Sequence, residues 1–496
     1  MQFNSIDFMI FFPIVLAVYF VIPRKARTYW LLVASYYFYM NWNPVYAVLI
    51  FGSTVVTYLS AIILSALSEQ RGSEKKLIMI VCIVLNLGVL GLFKYGNFII
   101  DSINAVTSAA GIVLIKHRFD LLLPVGISFY TFQALGYIID VYRGDVEVEK
   151  NFPKYALFVS FFPQLVAGPI ERSKNLLSQM RNIENINLWN ARRITSGAIL
   201  MVWGLFMKMV IADRCSILVD ACFDNYRMLG SVELIFTICL FGIQIYCDFA
   251  SYSMIAIGTA RILGFNLMEN FAAPYFAKSI KEYWKRWHIS LSSWFRDYLY
   301  IPLGGNRKGE IKKYINVLIV FLVSGLWHGA SWTFVLWGLL HGMYQVIGEV
   351  SKPLSERVIT AFKVNTDCFS WRLFQTVRTY LLCMFAFILF RADTISQALD
   401  YIKRIFTKQS AWVLFNDGLY TLGLDRMEMN ILVVAVVVLF IVDYLRYKNG
   451  TMIDECLLSQ NILFEWLVMI SFIVGIFIFG EYGAAFDAKQ FIYFQF

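Results

Sequence analysis

Two histidines lie within one long apolar stretch, residues 317–348, which reads VLIVFLVSGLWHGASWTFVLWGLLHGMYQVIG. They are His328 and His341. An ionisable side chain at membrane depth is expensive to place and marks a functional site by default. A neutral imidazole takes a proton from a hydroxyl near neutral pH. Held in a dry, apolar setting, His328 suits transfer of an acyl group from a thioester to an alcohol. The chain has no Gly-x-Ser-x-Gly elbow and no setting for a catalytic cysteine, so direct transfer with one histidine as base is simpler than a nucleophile triad. The structural alternative for His328 is a buried histidine that bridges helices. His341 follows thirteen residues later. At ~100° per residue it points to a different face of a straight helix, and it reads as a helix–helix contact.

The remaining polar candidates are weaker. His288 sits in KSIKEYWKRWHISLSSWFRDYLYIPLGGNRKGEIKK, residues 278–313. A lone histidine among Trp and Arg is more often packed than catalytic. His117 belongs to the solvated run Lys116-His117-Arg118 and carries no role. Asp248 follows Gln244, Tyr246 and Cys247 in an apolar run, which turns it to the interior. Asp140, Arg143, Glu171, Arg172, Asp213, Arg214, Arg261 and Asp443 are likewise polar groups in apolar surroundings, and such a set also suits a transport path. A metal site needs more ligands than His288 and His328 recruit, so none is expected. The eight cysteines form no CxxC pair, and disulfides are not expected either.

These residues need a membrane scaffold. The 496-residue chain is 59% hydrophobic and 16% charged, against roughly 25% charged for a soluble domain. Its apolar runs predict an all-α polytopic membrane protein with about eleven spans by the ~20-residue rule, plus re-entrant and interfacial helices. Break signals flank Trp327-His328 at Ser324-Gly325 and Gly329. Others fall at Leu123-Pro124-Val125-Gly126, at Phe162-Pro163-Gln164 and at Gly168-Pro169. Such pieces are tolerated at membrane depth only against protein or a wet cavity. No repeat and no soluble insertion is visible, so residues 1–496 read as one membrane domain.

Segment 278–313 is basic and rich in Trp and Tyr, and predicts an amphipathic helix in the cytoplasmic interface. It either anchors on anionic lipid or docks an anionic thioester donor. The net charge of +9 is explained by such loops, with no nucleic-acid reader in view. Arg24, Lys25 and Arg27 follow the first apolar run and place the N-terminus outside. Arg446 and Lys448 place the last loop in the cytoplasm, so the tail 481–496 emerges outside. That tail ends FIYFQF, which on physics alone is an interfacial anchor.

Several blocks resemble the membrane-bound O-acyltransferase family, in its bacterial alginate O-acetyltransferase-like branch. They are LPVGISFYTFQALGYIIDVYRG (123–144), FFPQLVAGPIER (161–172), YCDFASYSMIAIGTARILGF (246–265), YWKRWHISLSSWFRDYLYIPLGGNRKG (283–309), SGLWHGASWTFVLWGLLHG (324–342) and FIYFQF (491–496). The resemblance implies a helical wall around a central tunnel, with the family's invariant histidine at His328 and its second polar position at His288. It implies no bound cofactor, and a cytoplasmic acyl thioester as donor, either acetyl-CoA or an acyl carrier protein. It also implies an extracytoplasmic SGNH-like or esterase-like partner in a bacterial cytoplasmic membrane. The tail resembles the C-terminal motif of a small partner in teichoic acid D-alanylation systems, where a tyrosine hydroxyl accepts the acyl group. By that resemblance Tyr493 becomes an acyl relay.

The expectation is therefore an O-acyltransferase that acylates a cell-surface or secreted polysaccharide. His328 is the base, His288 orients or polarises the donor, and Trp327, Arg296, Asp297, Asn306 and Asp248 shape the site. A non-catalytic transporter of a lipid-linked or anionic solute needs the same broken helices and basic loop. A scaffold that anchors a secreted enzyme is the third reading.

Overall fold

The computed structural model describes residues 1–108, 115, 118–482 and 491. His117 and Tyr493 lie outside the described residues. Among those described the chain is all-helical. Among the described residues eight helices are long and apolar enough to cross a membrane: Tyr46–Ala66, Gly72–Ser108, Ala191–Asp224, Ser231–Leu263, Glu310–His328, Phe369–Arg391, Arg426–Asn449 and Ile462–Phe479. Ile6–Val21 is apolar but shorter, at 16 residues. Length of this order is what the hydrocarbon thickness demands at 1.5 Å rise per residue.

The chain divides into two compact units. One comprises Met1–Ala198 with Ile255–Met268; the other comprises Ile199–Met254 with Glu269–Phe496. In the first, helix Ile127–Arg143 is buried on nearly every side and packs on Tyr46–Ala66 and Gly72–Leu90. It begins at Gly126, whose φ of +76° is left-handed. A Cβ there would also lie 2.6 Å from the Leu165 carbonyl oxygen, so only glycine fits. Two short helices, Phe152–Ser160 and Phe162–Leu165, are parted at Phe161, the first residue of Phe-Phe-Pro-Gln. Polar side chains satisfy the backbone groups freed by this break. Gln133 Nε2 and Gln164 Nε2 donate to the Phe158 carbonyl at 2.6 and 3.1 Å. Ser35 Oγ accepts from the Phe162 amide at 3.1 Å. A helix end can sit in apolar surroundings only with such partners.

Helix Ser231–Leu263, the most buried of the candidate spans, belongs to the second unit as far as Met254. Helices Glu310–His328 and Trp332–Val350 form a hairpin packed along its length. The turn falls at Gly329–Ser331. Ser324-Gly325, expected as part of the break, stays helical and does something else. A Cβ on Gly325 would strike the Phe334 carbonyl, and one on Gly338 would strike the Phe321 carbonyl. The two glycines let the helices touch backbone to backbone, the small-residue packing that apolar solvent favours.

Segment 278–313 departs from a single surface helix. It folds as Ile280–Arg286, Ile289–Phe295 and a π-helical turn Arg296–Tyr300. Tyr283, Trp284, Trp287 and Trp294 are buried in protein, while Lys281 and Lys285 stay exposed. Packed aromatic pairs contribute about 0.5–1.5 kcal/mol beyond the area they bury.

Candidate active site

Three elements of the second unit bring His288 and His328 together. His328 closes helix Glu310–His328. His288 precedes helix Ile289–Phe295 in a left-handed conformation, φ 44° and ψ 54°. Such backbone is costly for a side chain with a Cβ and marks a position held by its surroundings. The third element is the loop carrying Asn270, which binds the strained turn by its backbone as well. The Ile289 amide donates to the Asn270 carbonyl at 2.9 Å.

Asn270 also fixes the imidazole. Its Oδ1 accepts from the Ser290 hydroxyl at 2.9 Å and from the Ser290 amide at 3.4 Å. Its Nδ2 donates to Ser253 Oγ at 3.1 Å. A backbone N–H can only donate, so this pattern assigns the amide's orientation. His288 Nδ1, 3.0 Å from the same Oδ1, must then carry the proton. That leaves the lone pair on Nε2. Burial pushes the His288 pKa down to about 3, because a buried imidazolium would lose its hydration.

The two imidazoles have ring centroids 6.3 Å apart. Trp327 lies against both, at 5.6 Å from His288 and 5.0 Å from His328. Phe249 packs on His288 at 4.6 Å. Trp337 and Phe390 pack on His328 at 4.9 and 5.7 Å. His328 is 2% exposed and His288 fully buried. The result is a buried aromatic box around two nitrogen heterocycles, where a charge or dipole is less screened than in water. Among the described residues no cluster of three or more His, Cys, Asp or Glu could hold a metal.

Comparison with known proteins gives this chain a family. The family model "MBOAT, membrane-bound O-acyltransferase family" matches residues 147–390. The probable alginate O-acetylase of Pseudomonas syringae pv. tomato is 38% identical over 407 residues, 80% of this chain and 74% of the relative. The chain is a membrane-bound O-acyltransferase. The probable alginate O-acetylase of Pseudomonas aeruginosa is 37% identical over 450 residues, 88% of this chain and 81% of the relative. The peptidoglycan O-acetyltransferase of Helicobacter pylori is 35% identical over 425 residues, 79% of this chain and 77% of the relative. The transporter and scaffold readings give way to an enzyme that sits in the membrane by many spans and uses an acyl donor.

Not every residue singled out in the sequence joins the box of this acyltransferase. Trp327 does. Asp248 is buried elsewhere, held by Lys208 Nζ at 2.6 Å, and Lys208 also binds Asp213 at 2.8 Å. Arg296 is exposed and pairs with Asp297 at 2.9 Å. Asn306, also exposed, accepts from the Tyr300 hydroxyl. His341 takes a hydrogen bond from Trp284 Nε1 at 3.2 Å on Nδ1, a helix-to-helix contact. Sequence reasoning does not find Asn270, Ser253 or Ser290. They are ordinary polar residues, and only the Trp287-His288-Ile289-Ser290 spacing hints at one of them.

Proposed function

We propose that this acyltransferase moves an acyl group, acetyl first among candidates, from a cytoplasmic thioester to a hydroxyl destined for a cell-surface or secreted polysaccharide. The observation that carries this reading is the pair of buried imidazoles, one with its tautomer set by Asn270. The relatives named for alginate and peptidoglycan O-acetylation support the acceptor class.

The step balances simply. His328 takes the proton as the acceptor oxygen attacks the thioester carbonyl. The C–S bond breaks, the thiolate leaves, and the imidazolium returns the proton to it. Ester and thiol are the products. His288 presents an unprotonated Nε2, which accepts an N–H or O–H of a bound substrate. It therefore orients rather than polarises. Trp327 forms the wall between the two rings. Exposed Arg296 with its half-buried partner Asp297, and exposed Asn306, suit a docking surface for the anionic donor, acetyl-CoA or an acyl carrier protein, better than a role beside the reacting atoms. Asp248 shapes the site at one remove, through the helix that also bears Phe249.

The wider arrangement belongs to the same proposal. Residues 1–496 act as one domain around a tunnel in a bacterial cytoplasmic membrane, with 278–313 on the cytoplasmic side and both termini outside. The tail 481–496 offers Tyr493 as the first acceptor, and an SGNH-like extracytoplasmic partner completes transfer to the polymer. Positioned base catalysis contributes ~10²–10⁴-fold in rate. His328→Ala is therefore expected to lose about that much thiol release from acetyl-CoA or an acetylated carrier, with unchanged elution and melting behaviour. Full turnover by a folded His328→Ala enzyme would remove His328 from the chemistry.

A further inference from the structure

The chain after the last helix is tied down at two described points, and the second lies on a helix that lines the histidine box. The first is Glu481. Its carboxylate pairs with Arg214 Nη2 at 2.6 Å, and its amide donates to the Met209 carbonyl at 2.9 Å. Arg214 Nη2 also donates to the Phe479 carbonyl at 2.9 Å, and Nη1 to the Val210 carbonyl at 3.0 Å. One guanidinium thus grips the chain on both sides of Gly480. Met209 and Val210 belong to the π-helical turn Met207–Ala212, a winding that recurs at functional places. The second point is Phe491, which is buried against Phe249 at 5.6 Å and Tyr252 at 5.2 Å. Phe249 is the same ring that packs on His288.

The two anchor points are themselves coupled. Lys208 joins Asp213, the neighbour of Arg214, to Asp248, the neighbour of Phe249. Three buried charges therefore hold the gripping helix in register with the helix that seats Phe491.

We propose that Arg214 and Glu481 form a latch that keeps Phe491 seated against Phe249 and Tyr252. Arg214 and Glu481 are positioning residues; neither touches the reacting atoms. This deepens the acyl-transfer reading above and rests on it for the effect on turnover, whereas the latch itself is read without any reaction.

The test uses the full-length protein in liposomes. Phe491→Cys is combined with native Glu481, with Glu481→Gln and with Glu481→Asp, and maleimide uptake is read by mass on the C-terminal peptide. The latch requires a protected thiol with native Glu481, uptake at least tenfold faster with Glu481→Gln, and protection largely restored by Glu481→Asp. Equal uptake in all three overturns the latch. In parallel, Glu481→Gln and Phe491→Ala in the native background should each lower kcat at least tenfold with the KM for the thioester unchanged, and Glu481→Asp should recover most of it. Faster labelling with unchanged kcat overturns the positioning role while leaving the latch standing. A wild type that transfers nothing overturns the acyl-transfer reading, and the labelling arm still decides the latch.

Discussion

Asn270 does at residue scale what a carboxylate does behind many catalytic histidines: it chooses which ring nitrogen keeps the proton. Its carboxamide serves His288, Ser290 and Ser253 together. Replacing it with alanine leaves buried donors unmet, at about 1–3 kcal/mol in stability. Asn270→Ala is therefore expected to melt earlier and to turn over more slowly than wild type, checked by thermal unfolding and thiol release on one preparation. The tautomer also has a pH consequence. With its pKa pushed down to about 3 by burial, His288 stays neutral from pH 5 to pH 9. The imidazole charges only as pH falls toward that value. His288→Asn should scale the pH–rate profile down without shifting its acid limb. An inflection between pH 5 and 8 that vanishes with His288 would show that the ring titrates there.

At the scale of elements, close packing decides. Gly325 and Gly338 sit where the helices of the hairpin Glu310–His328 and Trp332–Val350 touch. Gly325→Ala and Gly338→Ala are each expected to cost about 1–3 kcal/mol by overpacking. Gly52, in helix Tyr46–Ala66, has open space where a methyl group would stand, with nothing within 4 Å. Gly52→Ala should instead gain about 0.5–1 kcal/mol from propensity. Melting temperatures of the three variants in one detergent give the comparison. The same glycines show what a sequence can and cannot reveal. Apolar length and the Gly329 turn make the hairpin legible, since both follow from span length and backbone permissiveness. Ser324-Gly325 reads as a second break because a glycine that unwinds a helix and one that admits a neighbour look alike in one dimension. Asn270 is invisible for a related reason. It acts from a loop, eighteen residues before His288, where no periodicity relates the two. The basic segment differs in geometry from its sequence reading because its aromatics face inward, and composition does not say which way a Trp points.

For the whole molecule, the claims concern sidedness and the path of the acyl group. The proposal that the last loop lies inside and the tail outside rests on the charges at Arg446 and Lys448, followed by one more candidate span, Ile462–Phe479. A cysteine at Lys448 should react with an impermeant maleimide only after cells are opened, and one at Tyr482 should react in intact spheroplasts. The reverse pattern would put the tail on the donor's side and end the relay proposal. The central claim is that His328 drives acyl transfer. It is met most directly by intact-mass analysis of the purified enzyme after exposure to an isotopically labelled acetyl thioester. Wild type, His328→Ala and Tyr493→Phe are compared, with free thiol measured alongside. The expected result is label on the C-terminal peptide of wild type and on neither variant, with thiol release lost in His328→Ala. Labelling and thiol release that persist in folded His328→Ala would contradict the account.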